Sequence, residues 1–253
     1  MAATEALLEA RGLVKRFGGL VATDHLDLSV RRGEIHAVIG PNGAGKTTLI
    51  GQLTGELRPD AGSILFDGAD VTALAAPRRA RLGIARSFQI TQVFRRFTVL
   101  ENVMLSVQAQ EPHAFRFWKD ARRDEALAGP ARRVLEETGL AASAGRLAGA
   151  LAHGEQRQLE IAMALATSPR MLLLDEPMAG MGREESERMT GLLRQLKARE
   201  TILLVEHDMD VVFALADRIT VLVYGRAIAC GTPDEIRANP EVRGAYLGED
   251  DAA

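Results

Sequence analysis

The sequence predicts an α/β fold built on a mainly parallel sheet, with an antiparallel strand-rich start and an inserted helical lobe. Three observations carry that prediction. A Gly-rich segment, Gly-Pro-Asn-Gly-Ala-Gly-Lys-Thr at residues 40–47, directly follows the apolar run 35–39. In the second half of the chain, apolar runs of strand length alternate with stretches of helical period. From about residue 98 to 165 the period is helical.

The elements follow in order. Residues 7–14, 26–30 and 35–39 alternate apolar and polar positions in short pieces and read as strands, with Arg32-Gly33 as the turn before the third. Residues 47–53 have helical spacing and stop near Gly55, and Ser63-Ile64-Leu65-Phe66-Asp67-Gly68 is a further strand and turn. Helices are predicted over 99–105, 120–138 and 155–165. The Ala/Gly-rich run 141–150, including Gly149, predicts a flexible approach to the last of these. A strand over 171–175, a helix over 184–196, a strand over 201–205, a helix near 209–215 and a strand over 219–224 complete the alternation. Thr232-Pro233-Asp234-Glu235 is a helix start with Pro at the first position and a Glu able to close a capping box, and Asn239-Pro240-Glu241 repeats the Pro start. The expected organisation is one domain over 1–253. Its core and antiparallel strands span 7–86 and 166–230, its helical lobe 87–165 and its tail 231–253.

Composition narrows the function. Length is sufficient to bury a substantial core. Lys and Arg number 31 against 34 Asp and Glu, a net charge of −3, so no nucleic-acid partner is expected. Arg78-Arg79 and Arg95-Arg96 are short basic clusters, expected on solvated faces. The single cysteine, Cys230, leaves no intramolecular disulfide framework or Cys-rich metal site and fits a reducing cytosol. The first residues lack the basic start and long apolar stretch of a signal peptide, and no window approaches the roughly 18 apolar residues of a membrane span. Any membrane role is therefore expected from the cytoplasmic face, through a partner.

Chemistry concentrates first at residues 40–48. Gly40, Pro41, Asn42, Gly43, Ala44 and Gly45 let the chain curl so that backbone N–H groups converge on phosphate oxygens. Lys46 would reach the β- and γ-phosphates and the Thr47 hydroxyl would hold Mg²⁺, with Thr48 beside them. The alternative is a Gly-rich turn capping a helix, which has no need of the lysine. A second strand end, Leu172-Leu173-Leu174-Asp175-Glu176, places two acids at the carboxyl edge of the sheet. Asp175 would hold Mg²⁺ through water and Glu176 would act as general base; the alternative is an acidic helix cap. Together these predict a P-loop NTPase core that binds the β- and γ-phosphates of a nucleotide with Mg²⁺.

Leu151-Ala152-His153-Gly154-Glu155-Gln156-Arg157 resembles the signature segment of ATP-binding cassette proteins, usually Leu-Ser-Gly-Gly-Gln. The rest of the chain from about 7 to 248 falls into that family's order. Phe17 stands where the family stacks an aromatic on adenine, the alternative being a core residue of the strand-rich start. Gln89, in Ser87-Phe88-Gln89-Ile90-Thr91, matches the Q-loop and is implied as a Mg²⁺ ligand, and His207, in Val205-Glu206-His207-Asp208, matches the switch histidine. The resemblance implies that the nucleotide is ATP, with two cassettes packed head to tail and each ATP held between one phosphate loop and the other chain's signature segment, here His153, Gly154 and Glu155. Two departures stand out. Ala152 and His153 replace the signature serine and first glycine, leaving backbone donors and the imidazole, whose alternative is rim packing. Met178-Ala179-Gly180-Met181-Gly182 lacks the acid or amide common in the family's D-loop.

Several details resemble the ATPases of branched-chain amino acid uptake and their relatives for amides and urea: Phe17-Gly18-Gly19-Leu20, Arg86-Ser87-Phe88-Gln89-Ile90, the Leu-Ala-His-Gly-Glu-Gln signature, Val205-Glu206-His207-Asp208-Met209, and the tail 236–248. The tail is also similar to that of the lipopolysaccharide-export ATPase. The resemblance implies transmembrane permease subunits, a second ABC ATPase as homo- or heterodimer partner and, indirectly, a solute-binding protein. Residues 89–102, with Val93, Phe94 and Phe97, are the expected socket for a permease segment, the alternative being that these side chains are lobe core. Phe115, Phe117 and Trp118 form an expected local cluster without a role. A soluble single-cassette assembly ATPase is the alternative function.

Overall fold

The structure, a computed structural model, describes residues 5–87, 93–110, 124–197 and 199–244. Gln89, the cluster of Phe115, Phe117 and Trp118, and the tail residues 245–248 lie outside the described residues.

Two sheets form the core. The first is antiparallel, in the order β2-β1-β4-β5, with β1 (Ala6–Phe17), β2 (Leu20–Arg31), β4 (Ala61–Phe66) and β5 (Ala69–Asp70). The second runs β10-β9-β3-β8-β7-β6, with β3 (Ile35–Ile39), β6 (Ile84–Arg86), β7 (Met171–Asp175), β8 (Thr201–Val205), β9 (Arg218–Val223) and β10 (Arg226–Gly231). Its strands are parallel except β10, which pairs antiparallel with β9. Every residue of β3, β7 and β8 is buried, because sheet faces covered on both sides demand continuous apolar runs rather than alternation.

Each face of that sheet has its own core. Helix α1 (Lys46–Thr54) packs between the two sheets with Leu49, Ile50 and Leu53 against Leu8, Leu26 and Val38. Helices α6 (Arg183–Leu196) and α7 (Met209–Leu215) cover the other face through Met189, Leu193, Val211 and Leu215. A third core lies within the helical lobe, where α3 (Val99–Ala109), α4 (Glu125–Glu137) and α5 (His153–Leu165) meet around Val103, Leu135 and Leu159. The tail helices α8 (Pro233–Ala238) and α9 (Pro240–Val242) begin at Thr232 and Asn239, whose side chains accept from the first-turn N–H groups.

Two expectations are corrected. The run 141–150 is not a flexible approach: it folds into single 3-10 turns at Ala141–Ser143 and Ala148–Ala150 and is stitched to the lobe. Val99 and Leu100 donate to the carbonyls of Arg146 and Ala144, and Ala148 and Gly149 donate to those of Phe97 and Arg95. Small side chains permit that close backbone approach; a methyl on Gly149 would sit 3.0 Å from the Arg95 carbonyl oxygen. Arg79 is not on a solvated face either. It lies on α2 (Ala76–Arg81), is 1% exposed, and donates to the carbonyls of Gln52, Leu53, Thr72 and Leu74. Its guanidinium thus satisfies the carbonyl end of α1, where the helix dipole favours a cation.

Candidate active site

The parallel sheet determines where the functional segments emerge. Residues 40–45 leave the carboxyl end of β3, Asp175 and Glu176 that of β7, and Glu206 and His207 that of β8, and these three strands are neighbours in the order β3-β8-β7. The next strand in that order, β6, ends at Arg86 on the same edge.

The phosphate loop is held against backbone on both sides. Gly40 has φ 153 and Gly45 φ 104; a methyl on the first would meet the Leu222 carbonyl oxygen at 2.1 Å and one on the second the Ala22 carbonyl oxygen at 2.2 Å. Gly225 N–H donates to Ala44 O at 2.9 Å, so the turn between β9 and β10 closes the loop from behind. Only glycine fits at positions 40 and 45. Lys46 is 8% exposed and its ammonium donates to the carbonyls of Gly40 and Pro41, which lays its charge across the loop. Burial holds its pKa below the ordinary lysine value, opposed by the nearby charges of Glu176 and Asp175. Asn42, Gly43 and Thr47 are exposed at the loop surface, and Pro41 and Thr48 are half-buried.

Asp175 is buried, and burial pushes its carboxyl above the usual range against the pull of Arg86. Arg86 Nη2 lies 3.0 Å from Asp175 Oδ2, while its Nη1 reaches Glu56 at 2.5 Å. Glu176 takes φ 49 and donates its N–H to Val205 O at 2.9 Å. That left-handed conformation in a non-glycine residue costs of order 1 kcal/mol and turns the chain sharply at the strand end. His207 has a 60% exposed side chain, and the wholly buried Glu206 beside it accepts the N–H groups of both Met178 and His207.

The signature segment starts α5. Ala152 and His153 are exposed and Gly154 is buried against Glu185, whose carboxylate would lie 2.8 Å from an added methyl. The Glu155 carboxylate is tied to Ala152 N–H at 2.9 Å and Arg146 at 2.8 Å, so it is the backbone of Glu155, not its side chain, that can face an anion. His153 Cε1 comes within 3.6 Å of where a Gly180 methyl would stand. The segment therefore neighbours the turn after Glu176, and among the described residues no backbone hydrogen bond joins it to the chain's own phosphate loop.

Phe17 is 48% exposed at the β1–β2 hairpin, with Lys15 Nζ 5.7 Å from its ring, so it is not a core residue of the first sheet. Phe94 is 54% exposed and stacks on the half-buried Phe97 at 5.6 Å. It borders a groove of about 500 Å³ between core and lobe, with Ile84, Ala85, Pro77 and Met163 among its apolar walls and Glu56 and Arg86 among its polar ones. Asn102 is wholly buried and clips the turn carrying Phe94, accepting Phe94 N–H at 2.8 Å and donating to the carbonyls of Phe94 and Thr98. Glu56, Arg86 and Glu206 had no assigned role in the sequence, although Arg86 and Glu206 lie inside segments already singled out, and Asn102 was read only as part of the expected socket at 89–102.

These residues fit a nucleoside triphosphate and its cation. The glycine cradle, the loop lysine and the start of α1 form an anion site. Thr47 Oγ1 and the Asp175 carboxylate are hard oxygen donors on facing segments.

Comparison with known proteins identifies the family of the chain. The ABC transporter family matches residues 23–179, and the family described as branched-chain amino acid ATP-binding cassette transporter matches residues 228–252. The high-affinity branched-chain amino acid transport ATP-binding protein BraF of Pseudomonas aeruginosa is 41% identical over 96% of this chain and 98% of its own. LivG of Salmonella typhimurium, described in the same words, is 41% identical over 97% and 99%. Among solved structures, an ATP-binding cassette of an ABC transporter in its ADP conformation superposes with a TM-score of 0.86 at 33% identity, over 97% of this chain and all of that one.

Proposed function

The chain belongs to the ATP-binding cassette family, and on that footing we propose that it is the ATP-hydrolysing subunit of an importer for branched-chain amino acids. The cargo assignment rests on relatives that match nearly end to end and on the separate match of the tail at 228–252. The observation that carries the mechanism is the separation of two anion sites. The phosphate loop and the start of α5 are both suited to phosphate, yet α5 packs against its own chain's 178–182 turn, and among the described residues no backbone hydrogen bond ties it to its own loop. A second cassette, identical or similar, would supply the missing half, so that ATP joins the pair and hydrolysis releases it.

In that arrangement Phe17 stacks on adenine and Lys46 with the loop N–H groups holds the phosphates. Thr47, Asp175 and Gln89 would hold Mg²⁺, which would supply positive charge beside the phosphates. Glu176 draws a proton from the attacking water, and His207 hydrogen-bonds the γ-phosphate and keeps water and carboxylate aligned. The groove beside Phe94 takes a short amphipathic segment of the permease at the cytoplasmic face. No described helix is long and apolar enough to cross a membrane, so the crossing belongs to the permease, and selection of cargo to a solute-binding protein.

Affinity purification of tagged Glu176→Gln protein from its native cells, in mild detergent with ATP, tests the proposal. Recovery of permease subunits with an amino acid-binding protein is expected. Recovery of soluble proteins alone would replace the importer with a single-cassette assembly ATPase, and a urea- or amide-binding or lipopolysaccharide-export partner would change the cargo.

A further inference from the structure

We infer that Glu206 is a positioning residue that locks His207 and the turn after Glu176 into one unit; this rests on the roles proposed above for His207 and Glu176. Glu206 is 0% exposed at the end of β8. Its Oε1 accepts Met178 N–H at 3.0 Å, and its Oε2 accepts His207 N–H at 3.1 Å and lies 3.7 Å from His207 Nδ1. Among the described residues no Lys or Arg pairs with it, and the titratable side chain paired with its carboxylate is the His207 imidazole. A buried carboxylate without a full countercharge is costly to keep, and an uncharged residue could fill the space. What the charge supplies is two acceptors aimed at two segments that hydrolysis needs in register.

The 178–182 turn carries no acid or amide of its own, so its tie to the switch histidine runs from Met178 backbone through Glu206. The same turn touches the start of α5, with His153 Cε1 3.6 Å from a methyl placed on Gly180. A displacement of the turn by a second cassette would therefore reach His207 through this carboxylate.

The test compares Glu206→Gln, Glu206→Asp, His207→Ala and the Gln/Ala double variant for ATP turnover, ATP affinity and melting temperature. Glu206→Gln must aim its NH2 at one of the two N–H donors, and Glu206→Asp is too short to reach both. Each is expected to lower kcat roughly 10- to 100-fold, with ATP Kd changed by less than about twofold. The double variant should be no slower than His207→Ala, because both changes act through one imidazole. Losses that multiply in the double variant, or full turnover in the folded Glu206 variants beside a slow His207→Ala, overturn the inference alone. Wild-type turnover in His207→Ala would overturn the role of His207 and the inference with it. If Glu206→Gln does not fold, Glu206→Asp decides by the same criteria.

Discussion

Lys46 lays its ammonium over the carbonyls of Gly40 and Pro41, and Lys46→Ala should weaken ATP binding at least about tenfold, or 1.4 kcal/mol. Titration with a fluorescent ATP analogue checks this, and an unchanged affinity would remove the lysine from the site. Cys230 offers a pH-dependent readout away from that site. Burial opposes ionisation of its thiol, but hydrogen bonding with His36 and Thr220 and the charge of Arg218 outweigh it and bring the pKa to about 7. Because the folded value is depressed, the thiolate's contribution to stability is present above the unfolded thiol's pKa and is lost as pH falls through about 7. The rate of alkylation of this single thiol should accordingly reach half its plateau near pH 7 in the folded protein and well above pH 8 in urea. At this scale the phosphate loop, the two acids and the histidine were legible because each motif places its chemistry in a few consecutive residues. Arg86 and Glu206 were not, since what they do depends on Asp175 and Met178, 89 and 28 residues away in sequence.

Among the elements, long periodic segments were read correctly: β3, β7 and β8 coincide with their apolar runs, α6 and α7 lie within a residue of expectation, and α8 starts at the predicted Pro233. The elements that escaped are short or edge pieces. β5 has two residues, β6 three and α2 six, too few to establish a period, and β10 lies at the sheet edge with largely exposed, unpatterned side chains. Arg78-Arg79 misled for a related reason: a basic pair shows no sign in sequence that one member will turn inward to carbonyls on α1. Arg79→Met keeps the volume and removes those donors, leaving buried carbonyls unpaired. It should destabilise the protein by roughly 2–4 kcal/mol in urea unfolding. A loss under about 0.5 kcal/mol would mean that water reaches those carbonyls.

For the whole molecule, separate anion sites and a groove between core and lobe suit an engine completed by other chains. The groove gives one expectation: Phe94→Glu charges its rim without touching the nucleotide residues, so ATP turnover of the isolated protein should stay within about twofold of wild type while permease-dependent transport is lost. Loss of both would place Phe94 in the folding of the lobe. The helical period after residue 98 was legible along the chain and is realised in α3 and α5, whereas the packing of α5 against the 178–182 turn was not, because it joins segments from two different regions. The most direct test of ATP-driven pairing is the oligomeric state of Glu176→Gln, measured by size-exclusion chromatography with light scattering, with and without ATP and Mg²⁺, alongside its turnover. A monomer without nucleotide, a dimer with ATP and no turnover is the expected result; turnover at the wild-type rate, or a monomer under saturating ATP, would contradict it.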